Sequence, residues 1–147
     1  INIPFSVANI GAGAFIECSS LTSILVESDN KRYTSLDGVL YSKDKDTLLA
    51  CPAGWNGIFN IPSFVHCIGP DAFCHSAEIT SIIIPNSVIM IGDRAFSNCT
   101  GFSSISLPNS LKEIGREAFC QCTNLSSIII PNSVINMAWG LFHIAIN

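Results

Sequence analysis

A pattern of 23 residues recurs in one register, without gaps between residues 61 and 129. Residues 84–106 read IPNSVIMIGDRAFSNCTGFSSIS, and residues 107–129 read LPNSLKEIGREAFCQCTNLSSII. Self-similarity at a period of about 20 to 29 residues is typical of a solenoid, in which each repeat packs on its neighbours. The sequence therefore predicts one solenoid domain over residues 1–147 with about five repeats. These repeats start at residues 3, 61, 84, 107 and 130.

Each of the first four repeats contains a version of the pattern L-x-x-I-x-I, for example Leu125, Ile128 and Ile130, and the fifth stops before its own leucine position. Alternation of branched apolar residues with other residues is typical of a short strand that buries one face. One such strand per repeat, stacked at about 4.8 Å, would form a parallel sheet. A proline follows each strand, and because proline has no N–H to donate, we expect each strand to end there. The prolines are Pro4, Pro62, Pro85, Pro108 and Pro131.

The second half of each repeat, I-G-x-x-A-F-x-x-C, predicts the opposite side of the solenoid. The Ala-Phe segment is too short for a full helix, so we expect a short helical or 3₁₀ turn. The preceding glycine indicates close packing or a tight bend, and we expect no positive φ there because Ala138 replaces it in the last repeat. The recurring phenylalanines predict a stacked row in the core. They are Phe15, Phe73, Phe96, Phe119 and Phe142.

The regular spacing is interrupted by an insertion, residues 27–60, which holds nine of the eighteen charged residues. Two β-prone runs, VLY at 39–41 and TLLAC at 47–51, flank the polar segment SKDKD and predict a β-hairpin. Trp55 lies in a loop-like segment. It is expected either to close the edge of the core or to serve as an exposed contact residue.

Composition and motif content exclude several classes of function. A net charge of −4 without a block of like charges lacks the basic surface of a nucleic-acid binder. No apolar run approaches the roughly 20 residues of a membrane span. His66-Cys67 and Cys74-His75 are only sequence neighbours, and no catalytic or phosphate-binding motif occurs. We therefore expect no enzymatic activity, no cofactor and no metal site.

Most of the cysteines follow the repeat. Cys18, Cys99 and Cys122 share one position, where other repeats have small residues, and this indicates a role in packing. Cys120 shares its position only with Cys74. If a thiol of the segment IGREAFCQCTNL has a separate role, Cys120 is the candidate.

Two Asn-x-Ser/Thr sequons occur, at Asn98 and Asn124. Glycans are expected there only if the protein is secreted through a glycosylating pathway.

The strand residues that point away from the core form the candidate protein-binding face. Serines alternate with aliphatic residues, and the set contains no charged residue. An extended, weakly charged and partly apolar surface suits recognition of a protein. The residues are Ser23, Leu25, Ser81, Ile83, Ser104, Ser106, Ser127 and Ile129.

The elements I-P-x-S-V, I-G-x-x-A-F, C-x-x-L and S-I resemble those of the BspA-like leucine-rich repeats. The segment DGVLYSKDKDTLLACP at 37–52 is similar to a hairpin that interrupts such arrays. This resemblance implies a leucine-rich-repeat solenoid, either α/β or mostly β, in a bacterial or protist surface protein. It further implies a secreted or cell-surface location and adhesion to a host matrix protein or another surface protein, with no catalytic residues.

An alternative function is a structural spacer, or a segment that associates end to end through its terminal repeats. No polar capping repeat is recognisable at either end, which leaves both core faces to be covered by further chain or by another copy. A third alternative is an intracellular recognition protein, which reduced thiols would suit.

Overall fold

The computed structural model describes residues 1–141. These residues contain thirteen β-strands and no helix. The strands are β1 (Asn2–Ile3), β2 (Leu25–Val26), β3 (Tyr33–Leu36), β4 (Val39–Ser42), β5 (Thr47–Ala50), β6 (Gly57–Asn60), β7 (Cys67–Ile68), β8 (Ile79–Ile83), β9 (Met90–Ile91), β10 (Ser104–Ile105), β11 (Glu113–Ile114), β12 (Ser127–Ile128) and β13 (Asn136–Met137).

The chain is a leucine-rich-repeat solenoid in which a regular repeat contributes two strands. The L-x-x-I-x-I segments pair in parallel, as β1 with β2, β6 with β8, and β10 with β12. A second strand ends just before Gly69, Gly92, Gly115 and Ala138 and belongs to a seven-stranded sheet of order β13-β11-β9-β7-β5-β4-β3. The expectation of one strand per repeat is therefore incomplete. Each regular repeat joins two sheets, and its apolar side chains fill the space between them.

The Ala-Phe segments form successive turns, so the expected helical or 3₁₀ turn is not confirmed. Two left-handed residues bracket this segment in each of the first four repeats, for example Asp71 at φ 58° and His75 at φ 63°. A right-handed helix needs negative φ, so these residues prevent one from continuing. Instead, the Phe73 N–H donates to the Ala95 carbonyl at 2.8 Å, which joins the segment to the next repeat.

Close packing between repeats requires the glycine of the I-G pair at Gly92 and Gly115, whereas a Cβ at Gly11 would meet no atom within 4 Å. A Cβ at Gly92 would lie 2.6 Å from the Pro70 nitrogen, and one at Gly115 would lie 2.5 Å from the Asp93 nitrogen. Neither glycine has positive φ, as the sequence predicts. The backbones of adjacent repeats therefore approach too closely here for a side chain.

Residues 27–60 form one enlarged repeat. Strands β3, β4 and β5 make an antiparallel meander, which confirms the predicted hairpin of β4 and β5. Strand β5 then pairs in parallel with β7, and β6 pairs in parallel with β8, so both return the chain to the stack.

Aromatic rings form the centre of the main core. Phe73, Phe96 and Phe119 stack as predicted, with successive centroids 5.2 and 5.3 Å apart and interplanar angles of 15° and 10°. Phe59 meets Phe73 edge to face at 5.0 Å, and Trp55 meets Phe59 in the same way at 5.0 Å. Trp55 therefore closes the edge of the core.

The prediction that Phe15 joins this row is wrong. Phe15 packs in a second, smaller cluster whose buried members are Ile3, Ile24 and Leu40. The enlarged repeat lies between the first repeat and the regular stack, and it separates the two clusters. Phe142, predicted to extend the row, lies outside the described residues.

Candidate protein-binding face

Six of the eight predicted face residues lie side by side on or next to β8, β10 and β12. Ser104 lies opposite Ser127 in the parallel register. Ile83 is 56% exposed, Ile129 is 84% exposed, and Ser106 is exposed in the repeat between them. The structure therefore brings together a serine column and a partly aliphatic column. The six residues are Ser81, Ile83, Ser104, Ser106, Ser127 and Ile129.

Two shallow grooves run along these strands. Ile83, Ser106 and Asn86 line the first, and Ile129, Ser127 and Asn109 line the second. Among the described residues, none that line either groove carries a charge. The absence of charged groups lowers the desolvation cost of covering this surface with a partner.

Ser23 and Leu25 do not extend this surface. Their strand β2 pairs with β1 and packs against β3 and β4, not against β6. The Ile24 N–H donates to the Gly38 carbonyl at 2.8 Å, which places the turn between β3 and β4 against β2. The predicted continuous column of eight residues is therefore interrupted by the enlarged repeat.

Ile58 and Asn60 extend the surface, and the sequence analysis missed them. In the register of β6 with β8, Ile58 lies opposite Ser81 and Asn60 lies opposite Ile83. Ile58 is exposed. The segment GIFNIP at 57–62 has the same apolar alternation before proline as the other repeats, and this signal could have identified the strand.

The seven-stranded sheet, called the second sheet below, presents a different surface that the sequence analysis also missed. Ile89 is 46% exposed and Ile135 is 75% exposed, at equivalent positions two repeats apart. Charged residues accompany them: Lys112 is exposed, and Glu113 lines a groove beside Ile135. This surface therefore combines apolar and charged groups, unlike the uncharged face of β8, β10 and β12.

The repeated cysteine position is structural, as predicted for Cys122. The Cys99 thiol donates to the Phe73 carbonyl and the Cys122 thiol to the Phe96 carbonyl, both at 3.0 Å. Burial raises the pKa of Cys99 well above its ordinary value and that of Cys122 to about 11. The prediction of a packing role is wrong for Cys18, which has the equivalent position in the first repeat but is exposed.

Cys120 has a raised pKa, caused first by partial burial and then by the carboxylate of Glu117. A raised pKa lowers the fraction of reactive thiolate at neutral pH. The geometry therefore gives Cys120 no activation as a nucleophile.

Each of the two histidines next to a cysteine in the sequence lies near a carboxylate. His66 Nδ1 lies 2.7 Å from Asp46 Oδ1, and His75 Nε2 lies 3.6 Å from Glu17 Oε1. Within residues 1–141, no group of three or more His, Cys, Asp and Glu side chains is arranged to hold a metal ion.

We expect thiol labelling of the folded 147-residue chain to begin at Cys18, because Cys18 is exposed whereas Cys99 is fully buried. Time-resolved reaction with Ellman's reagent at neutral pH measures this order. The change Cys18→Ser should remove the fastest phase, whereas Cys120→Ser should leave it intact. A fastest phase that survives Cys18→Ser would contradict the assigned burial.

The two sequons differ in their surroundings. Asn124 is exposed, and its Nδ2 donates to the Thr100 carbonyl at 2.6 Å. Asn98 is half-buried at a left-handed backbone position with φ 58°.

Solved structures of bacterial proteins share this fold. A leucine rich cell surface protein of Faecalibacterium prausnitzii A2-165 has a TM-score of 0.85 at 34% identity, covering 97% of this chain and 38% of that chain. The pneumococcal vaccine antigen PcpA has a TM-score of 0.77 at 21% identity, covering 97% of this chain and 44% of that chain. A leucine-rich repeat protein of Eubacterium ventriosum ATCC 27560 has a TM-score of 0.68 at 22% identity, covering 99% of this chain and 59% of that chain. The chain thus spans well under two thirds of each.

No curated protein matches this sequence. Residues 1–141 include no helix that is long and apolar enough to span a bilayer. The family model for the BspA type leucine rich repeat region matches residues 1–37 and 57–145 and finds six copies of the repeat there. With most of the chain matched and the repeat geometry in place, this protein belongs to the BspA-type leucine-rich repeat family.

Proposed function

We propose that this chain is a non-enzymatic protein-binding module of a cell-surface or secreted protein, which adheres to a host matrix protein or another surface protein. The observation that carries the proposal is the uncharged face on β8, β10 and β12, where Ile83 and Ile129 are exposed. The buried centres of protein interfaces are depleted of charged residues. Covering these isoleucines would bury apolar surface at little cost in desolvated charge.

The relatives support this location and this type of function. The Faecalibacterium protein is described as a cell surface protein, and PcpA is described as a vaccine antigen. Leucine-rich repeat solenoids offer extended surfaces for partners, and their core positions are committed to packing.

The paired change Ile83→Asp with Ile129→Asp is expected to weaken partner binding by at least about tenfold, because two charges would be buried at the centre of the interface. Binding is measured by surface plasmon resonance against a panel of immobilised extracellular matrix proteins and microbial surface proteins. The variant is compared with the unmodified chain on the member of the panel that the unmodified chain binds.

The matched control is Ile89→Asp with Ile135→Asp, which places the same substitutions six residues further along the chain in each case, next to strands of the second sheet. This control is expected to retain binding. If the control loses binding and the first pair retains it, the second sheet is the recognition surface and the proposed face is wrong. Circular dichroism confirms that both variants fold.

A structural role through self-association is the second candidate. The last described repeat exposes several apolar residues, including Ile135, Met137 and Trp139. Light scattering over a concentration series separates the two functions. A strictly monomeric 15.8 kDa species at all concentrations would exclude self-association as the function of this chain.

A further inference from the structure

A cavity of about 100 Å³ lies where the two hydrophobic clusters meet. Phe15, Leu40 and Leu49 line it from the smaller cluster. Cys51 lines it from the main core, and Cys74 lies on the same wall. The cavity is therefore at a junction between two packing units, a common place for small-molecule sites.

The cavity lies beside an irregular position of the repeat. The Cys51 N–H donates to the Ala72 carbonyl at 2.7 Å, as the Phe73 N–H donates to the Ala95 carbonyl at 2.8 Å. Ala50-Cys51 thus occupies the place that Ala-Phe occupies in the regular repeats. Cys51, whose side chain is much smaller than that of phenylalanine, lines the cavity here, and Phe59 supplies the ring that packs on Phe73.

The lining favours an uncharged ligand. The Asp71 carboxylate borders the cavity, but Arg94 binds both of its oxygens, with Nε and Nη2 each at 2.8 Å. Its charge is therefore already neutralised by a bidentate partner. The remaining side chains are mostly aliphatic or aromatic, and the thiols of Cys51 and Cys74 have raised pKa values through burial and stay neutral at pH 7.

We propose that this junction cavity binds a small, uncharged and mostly apolar molecule. An apolar cavity of about 150 Å³ admits benzene or xenon. A cavity of about 100 Å³ therefore fits xenon or a short alkyl group. The site is separate from the face on β8, β10 and β12, because no residue of those strands lines it.

Two probes test the proposal in the intact 147-residue chain by ¹H–¹⁵N NMR, namely xenon under pressure and isobutanol in solution. Saturable amide shifts are expected at Gly13, Phe15 and Leu49, which line the cavity. Isobutanol carries a hydroxyl group, which can donate a hydrogen bond to the Asp71 carboxylate. No saturable shift with either probe, or shifts that map to another part of the chain, would overturn the proposal.

The variant Cys51→Met fills the cavity with a flexible side chain and is expected to weaken binding of both probes by at least about tenfold. Cys67→Met is the matched control, because Cys67 lines a groove of the second sheet and not the cavity. Binding that survives Cys51→Met unchanged would place the probes elsewhere. If Cys51→Met does not fold, the map of shifts in the unmodified chain decides the question alone.

Discussion

Replacing Phe96 with alanine is expected to lower the free energy of unfolding by about 3–5 kcal/mol. Phe96 is fully buried and lies between two stacked rings, those of Phe73 and Phe119, with centroids at 5.2 and 5.3 Å. Alanine would leave a cavity in the middle of this row and would remove both ring contacts. Chemical denaturation by urea, followed by circular dichroism, measures the loss.

The control for this prediction is Phe5→Ala. Phe5 is 64% exposed, so its removal is expected to change the free energy of unfolding by no more than about 0.5 kcal/mol. Equal losses for Phe5→Ala and Phe96→Ala would mean that the aromatic row is not the core. Because each repeat contacts only its neighbours, Phe96→Ala is also expected to lower the urea m-value if the two halves of the stack then unfold separately.

The repeat period was sufficient to predict the buried columns of the regular repeats, although it misplaced Phe15. Phe73, Phe96 and Phe119 recur at one spacing, and only a solenoid places such residues in one row. Leu125 and the equivalent residues could be assigned in the same way, because alternation identifies the buried side of a strand. The side-chain pattern therefore carried most of the information about the core.

The second strand of each repeat could not be predicted from alternation. Strands such as Cys67–Ile68 and Met90–Ile91 have two residues, too few for a period of two to be recognised. The turns were missed for a different reason. Their left-handed positions are occupied by residues such as Asp71, Arg94 and Glu117, whereas glycine is the usual signal for positive φ.

The binding face shows the same limit. The exposure of Ile83 and Ile129 follows from alternation within their own repeats. The position of Leu25 relative to them depends on how the enlarged repeat folds, because β3 and β4 pack against β2. Main-chain contacts across that repeat decide this arrangement, and no residue pattern records them.

Replacing Asn30 with alanine is expected to cost about 2–4 kcal/mol, although Asn30 lies outside the regular repeats. Its buried amide makes four hydrogen bonds: Nδ2 donates to the Pro4 and Val7 carbonyls at 2.9 and 3.0 Å, and Oδ1 accepts from the Arg32 and Tyr33 N–H groups at 2.9 Å. Alanine would remove this partner from all four backbone groups, of which the Pro4 carbonyl would still accept from the Val7 N–H at 3.2 Å. Thermal unfolding measures the total loss of stability.

This amide ties the first repeat to the enlarged repeat, so its loss should act locally before it acts globally. Hydrogen exchange is therefore expected to accelerate first at Val7 and Tyr33, whereas amides of the aromatic row such as Phe96 remain protected. Asn30→Asp should also destabilise the chain, because a carboxylate would replace the amide donor against two carbonyl oxygens. The exposed Asn109 supplies the control, and a loss for Asn109→Ala as large as that for Asn30→Ala would show that the buried amide is not the anchor.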